Sequence, residues 1–127
     1  MVLVDTSIWI HFLSGRSRDA AELSRLLESD EVAGHELVYG ELLIGDKGGR
    51  AKLLEEYDRM PRARSVSHRE VVTFVRSRKL HGRGVGWIDV QLLASAIVGG
   101  LPLWTADPRF DLVAHELGVA YQTPASK

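Results

Sequence analysis

The sequence predicts an α/β fold: one domain over residues 1–127, with a mostly parallel central sheet of four to five strands and helices on both faces. Three observations predict it. Short, wholly apolar runs such as "MVLV" and "LPLW" lack the alternation of a sheet with one wet face, so their strands are buried on both sides. Between them lie stretches with apolar residues at i, i+3 and i+4, the spacing of amphipathic helices. The chain has 127 residues, 45% hydrophobic and 26% charged, which suits one core. In such a fold the crossovers are right-handed. Ligands sit beyond the carboxyl ends of the strands, at the switch in strand order.

Met1–Val4 reads as the first strand. Thr6–Leu13 reads as a short helix with Ile8, Ile10 and Phe12 or Leu13 turned inward, broken by "SGRS". "RDAAELSRLLES" places Ala20, Leu23, Leu26 and Leu27 on one helical face. A short strand is expected near Val32, then a helix from His35 to Ile44 closed by Gly45. "GGRAKLLEEYDRM" gives a further helix stopped by Pro61. A strand is expected near Val66, and Ser67 with Glu70 fits the capping box of the next helix. "HGRGVG" is a glycine-rich basic loop. "WIDVQLLASAIVGG" is the most apolar helix, ended by Gly99 and Gly100. "LPLWTAD" is a strand, Asp107 and Pro108 start a helix reaching Leu117, and Gly118 releases a last strand, "VAYQ".

The absence of cysteine excludes disulfide staples, thiolate catalysis and cysteine-ligated zinc. The start does not read as a signal peptide, and no stretch is long and apolar enough to span a membrane. The expectation is a cytoplasmic protein. Its net charge is only −1, but residues 62–83 hold seven basic residues and one acid. A basic flank on an acidic body suits a polyanion at one place and a metal at another.

The first strand has little reason to end on a charge, yet it ends on Asp5. Glu41, Asp89 and Asp107 hold related places: an apolar helix, the start of the most apolar helix, and the end of a strand. Each has a purely structural reading, as an exposed helical acid, a first-turn acid or an N-cap. Four acids at one crevice repel one another unless something neutralises them. Carboxylate-only ligation suits Mg²⁺ or Mn²⁺, and paired ions of this kind support phosphodiester hydrolysis.

"LVDTSIWI", "YGELLIG", "GWIDVQLLASA" and "LWTADPRFD" resemble, in order and spacing, the four motifs of the PIN-domain ribonucleases. The small size resembles the VapC toxins of bacterial toxin–antitoxin pairs. The resemblance implies an endoribonuclease dependent on Mg²⁺ or Mn²⁺, with Asp5, Glu41, Asp89 and Asp107 as catalytic, metal-holding acids and Thr105 as a supporting hydroxyl. It implies an RNA substrate, a VapB-type antitoxin as partner and a homodimer. Asp107 occupies the family's most variable acidic position.

Arg83, in the glycine-rich loop before Asp89, is a candidate RNA contact, as are Arg76 and Lys79 in the basic segment. Trp9 and Trp87 flank motif acids and read as core, with base stacking as the other possibility. Trp104 reads as core. Trp9, Phe12, Leu26 and Leu27 are a candidate groove for a partner helix. Two alternatives compete. A receiver-like Mg²⁺-binding signalling module shares the fold class and strand-end acids, but Asp5 has no acidic neighbour and "LWTADP" no lysine. A catalytically inert PIN-fold interaction protein would not need all four acids.

Overall fold

The computed structural model describes residues 1–124. The elements run β1 (Val2–Val4), α1 (Thr6–Leu13), α2 (Ser17–Glu28), β2 (Val32–Ala33), α3 (Glu36–Ile44), α4 (Ala51–Asp58), α5 (His68–Arg78), α6 (Trp87–Gly99), β3 (Leu103–Trp104) and α7 (Pro108–Glu116). The sheet order is β2-β1-β3, and both pairings are parallel, with Val2 opposite Val32 and Leu3 opposite Leu103. All residues of the three strands are buried. Because neighbours on a strand point to opposite faces, this requires both faces of the sheet to be covered.

The sheet is narrower than the four to five strands expected. The two outer strands survive only as single parallel bridges, Gly34 to Arg62 and Leu103 to Ala120. The first falls four residues before Val66, where a strand was expected. There the Gly34 N–H donates to the Pro61 carbonyl and the Ala63 N–H to the Gly34 carbonyl, and the chain then runs irregularly to α5. A proline at the edge has no N–H with which to extend a ladder.

Fully buried Leu3, Leu23, Val38, Leu42, Leu92, Leu93 and Leu103 fill the centre. In α1 the inner face is only partly the expected one: Ile8 and Phe12 pack inward as expected, and Trp9 takes the place expected for Ile10. Ile8 and Trp9 are buried, while Ile10 and Leu13 are 39% and 41% exposed. A helix turns 100° per residue, so Ile8, Trp9 and Phe12 share a face and Ile10 cannot. Trp9 meets the ring of Phe12 at 6.0 Å and that of Tyr57 at 5.3 Å.

The helix carrying Glu41 is seated by a buried polar cluster. His35 is 1% exposed and caps α3: its Nδ1 accepts the Leu37 N–H at 3.0 Å. That leaves Nε2 as the donor to the buried Ser95 Oγ of α6, at 2.9 Å. The His35 N–H donates to the Tyr57 hydroxyl at 2.9 Å. The α3 and α6 backbones, which carry Glu41 and Asp89, are thus tied together beneath the site.

Candidate active site

β1 lies between β2 and β3, so the strand order switches direction at its carboxyl end, where a crevice opens. Asp5 is the next residue, and it is only 6% exposed. Its N–H donates to the Trp104 carbonyl at 2.8 Å, which fixes it against β3. Its Oδ2 accepts the Ser7 hydroxyl at 2.8 Å and the Thr105 hydroxyl at 2.8 Å. Backbone orients both hydroxyls in turn: Ala106 N–H donates to Ser7 Oγ at 2.9 Å, and Asp107 N–H to Thr105 Oγ1 at 3.1 Å. These charge-assisted bonds meet the cost of burying the carboxylate.

Glu41 is half-buried on α3, and its Oε1 accepts the Thr6 hydroxyl at 2.6 Å. Asp89 sits in the first turn of α6, with Oδ2 accepting the Gly86 N–H at 2.8 Å. Asp107 caps α7, with Oδ1 accepting from Arg109 N at 2.9 Å and Phe110 N at 3.3 Å. The structural roles available to Asp89 and Asp107 from sequence are therefore occupied. Each uses one oxygen. The same pattern holds for all four acids: hydrogen bonds hold one oxygen of each, and the other accepts none among the described residues. No Lys, Arg or His among the described residues forms an ion pair with any of the four.

Charge accumulates as a result. The Asp89 carboxyl is pushed above the ordinary carboxylate range, first by burial and then by the charges of Asp5, Asp107 and Glu41, against the opposing Gly86 hydrogen bond. Among the described residues no three acidic or histidine side chains are close enough together, as they stand, to hold a metal ion. The acids are near enough to repel and are each anchored elsewhere. An all-oxygen donor set with four open carboxylate oxygens and no cation fits a hard divalent ion, which takes oxygen ligands and retains water. The residues that could hold one are Asp5, Glu41, Asp89 and Asp107.

Residues 2–116 match the family described as PIN domain. The chain belongs to the PIN-domain family. It is also similar to Ribonuclease VapC32 of Mycobacterium tuberculosis in two strains, at 44% identity over 121 residues, 94% of this chain and 95% of the relative.

Within this PIN domain the sequence-predicted substrate residues are spread out. Arg83 forms an ion pair with Glu116 at the end of α7. Arg76 and Lys79 are exposed at the end of α5, without an acid partner among the described residues. Trp9 and Trp104 are core, but Trp87 is 44% exposed and lies against the His68 ring, with centroids 5.3 Å apart. It opens α6, and the buried face of that helix begins only at Val90. Trp9 and Leu26 are buried in the domain's own core, so from the expected partner groove only Phe12 and Leu27 retain partial exposure. Thr6 and Ser7 were not assigned roles from sequence. For Ser7 the signal is position, since a hydroxyl two residues after a strand-end acid turns back toward it in the first helical turn; Thr6 reaches Glu41, 35 residues away, and no local pattern announces that. No helix among the described residues is long and apolar enough to cross a membrane.

Proposed function

We propose that this chain is an endoribonuclease dependent on Mg²⁺ or Mn²⁺, the toxin of a toxin–antitoxin pair. One observation carries the reading: Asp5, Glu41, Asp89 and Asp107 each have one anchored oxygen and one open oxygen, with no protein cation between them. Family membership and the likeness to Ribonuclease VapC32 support the same chemistry. When bound, the divalent ion supplies charge neutralisation and an acidified water for in-line displacement at phosphorus. The chain's own residues prepare the place for it. Ser7 and Thr105 fix the Asp5 carboxylate, Thr6 fixes Glu41, and the Gly86 N–H fixes Asp89. Water adds to phosphorus and the 3′-oxygen leaves, giving 5′-phosphate and 3′-hydroxyl ends.

The four uncompensated carboxylates also suggest how a VapB-type antitoxin restrains the enzyme. An Arg or Lys of the partner enters the crevice and pairs with the open oxygens in place of metal, the Arg fork being suited to bidentate contact. A homodimer and a cytoplasmic site of action complete the reading. The test is cleavage of cellular RNA by the purified chain, with Asp5→Asn as control and end-group analysis of the products. Cleavage that survives EDTA, or 2′,3′-cyclic phosphate ends, would refute the metal mechanism. Lack of toxicity on expression, with no small protein that binds and suppresses cleavage, would remove the toxin role and leave the nuclease.

A further inference from the structure

Building on the ribonuclease reading, we propose that an open cavity beside the carboxylates is a nucleotide subsite and that Arg109 binds an RNA phosphate there, next to the one being cut. The cavity measures about 480 Å³ and is lined by Ser7, His11, Gly84, Asp107 and Arg109 among others, a size within the usual range of ligand pockets. Two of these residues belong to the acidic network. Ser7 holds Asp5, and Asp107 is one of the four acids. The cavity therefore continues directly from the place where the chemistry is expected. An RNA strand seated there has to run on past the scissile bond, and this is an adjoining space that accepts it.

Arg109 is in the wrong place for stability. It lies in the first turn of α7, where the helix dipole favours an acid and disfavours a cation. Its guanidinium has no ion pair or hydrogen bond among the described residues, although Asp107 is two positions away. Arg83 differs, being neutralised by Glu116. Among the described residues lining this cavity, Arg109 is thus a cation left without an acid partner beside Asp107, and no sequence motif singles it out.

Its side chain is also positioned. Gly84 has φ +81°, and a Cβ built there would stand 2.7 Å from Arg109 Cδ and 3.0 Å from Nη1. The loop backbone packs against the arginine side chain: a Cβ there would have to push Arg109 aside, and the positive φ is one that residues with a side chain rarely adopt. At the same cavity, His11 is locked. Its Nδ1 meets Asp19 Oδ2 at 2.5 Å, and its Nε2 meets Arg16 Nη1 at 3.1 Å. His11 thereby keeps a second arginine close by. Arginine on this rim suits a phosphodiester, since its planar fork meets phosphate oxygens with two donors. Such contacts position the strand and do not read its bases.

The experiment uses a fluorescently labelled single-stranded oligoribonucleotide spanning a mapped cut site. Binding is followed by anisotropy in EDTA across a salt series, and cleavage is followed separately with Mg²⁺. Arg109→Ala should weaken binding and raise KM by roughly 10-fold, the scale of one charge-assisted contact, with kcat little changed. The slope of log affinity against log salt should flatten by about 0.7, as for one lost phosphate on a single strand. Arg109→Lys should recover part of the affinity and the whole slope. Gly84→Ala should weaken binding in the wild-type background and add nothing once Arg109 is Ala, which separates a displaced arginine from a strained loop. Wild-type affinity and salt slope in both Arg109→Ala and Arg109→Glu would overturn the subsite while leaving the nuclease intact. An RNA that binds in an Arg109-dependent way and is never cut would support the subsite and remove the nuclease reading.

Discussion

Thr105→Val isolates the hydroxyl that joins the two strand ends at the acidic crevice. Valine keeps the shape and removes one oxygen. That oxygen donates to Asp5 Oδ2 at 2.8 Å and accepts from the Asp107 N–H at 3.1 Å, and the residue is 7% exposed. The substitution leaves a buried carboxylate with Ser7 as its remaining donor and leaves the Asp107 N–H without an acceptor. A hydrogen bond to a charged group contributes about 1.5–3 kcal/mol and a neutral one about 1 kcal/mol. A loss of about 2–3 kcal/mol is expected, allowing for partial relief of repulsion as Asp5 loosens. For a chain this size that lowers Tm by roughly 8–12 °C. Thermal and urea melts in EDTA measure it, with Thr105→Ser, which retains the hydroxyl, expected near wild type. Loosening a ligand's hydrogen-bonded partner weakens metal affinity or activity by about 10–100-fold, so RNA cleavage should fall in step. A Thr105→Val protein that melts within about 0.5 kcal/mol of wild type and cuts RNA normally would show that this hydroxyl does not hold Asp5.

Asp5→Asn should abolish cleavage yet leave the metal-free protein no less stable, because it removes one of the repelling charges; a clear drop in its urea midpoint would contradict the repulsion argument. Asp89, with its carboxyl raised in the native state, binds more protons there than in the unfolded chain, so metal-free stability should fall as pH rises from the ordinary carboxylate range through the raised native value; Asp89→Asn should flatten that slope in pH-dependent melts. For His35 burial lowers the native pKa, so its contribution is full above the ordinary histidine value near 6.5 and is lost as pH falls below it; His35→Asn, which can still cap α3, should remove this acid sensitivity. Arg76→Glu with Lys79→Glu should weaken RNA binding and its salt dependence, and unchanged binding across a salt series would make this end of α5 a solvated face.

The sequence makes local features legible and long-range partners obscure. An all-apolar strand ending on an acid is a local pattern, and so are the α6 run closed by Gly100 in the left-handed region and the Asp107–Pro108 helix start. These placed Asp5, Asp89 and Asp107 correctly along the fold. The outer strands are shorter than the composition of "ARSV" and "VAYQ" suggests: each pairs at a single position, Arg62 with Gly34 and Ala120 with Leu103, and composition does not report how far such a pairing runs. Ile10 was misplaced because α1 is only 8 residues long, too short for periodicity to choose between adjacent apolar positions. Trp87 reads as core by residue type, but its position at the opening of α6 decides its exposure. The Arg83–Glu116 pair and the contact between Gly84 and Arg109 join residues 33 and 25 positions apart in the chain, and no short-range rule reports which cation is neutralised.

The Asp5–Thr105 bond spans 100 residues of sequence, and this separation has a consequence in time. A ribosome adds about 5–20 residues per second, so Asp5 emerges roughly 5–20 s before the hydroxyl that fixes it has been made. Through that interval β1, the centre of the sheet, also lacks its β3 neighbour, and the crevice has only part of its walls. A chain that stops short of β3 has neither the Thr105 hydroxyl that holds the Asp5 carboxylate nor the Trp104 carbonyl that accepts from the Asp5 N–H, so its strand-end acid is made long before it is fixed in place.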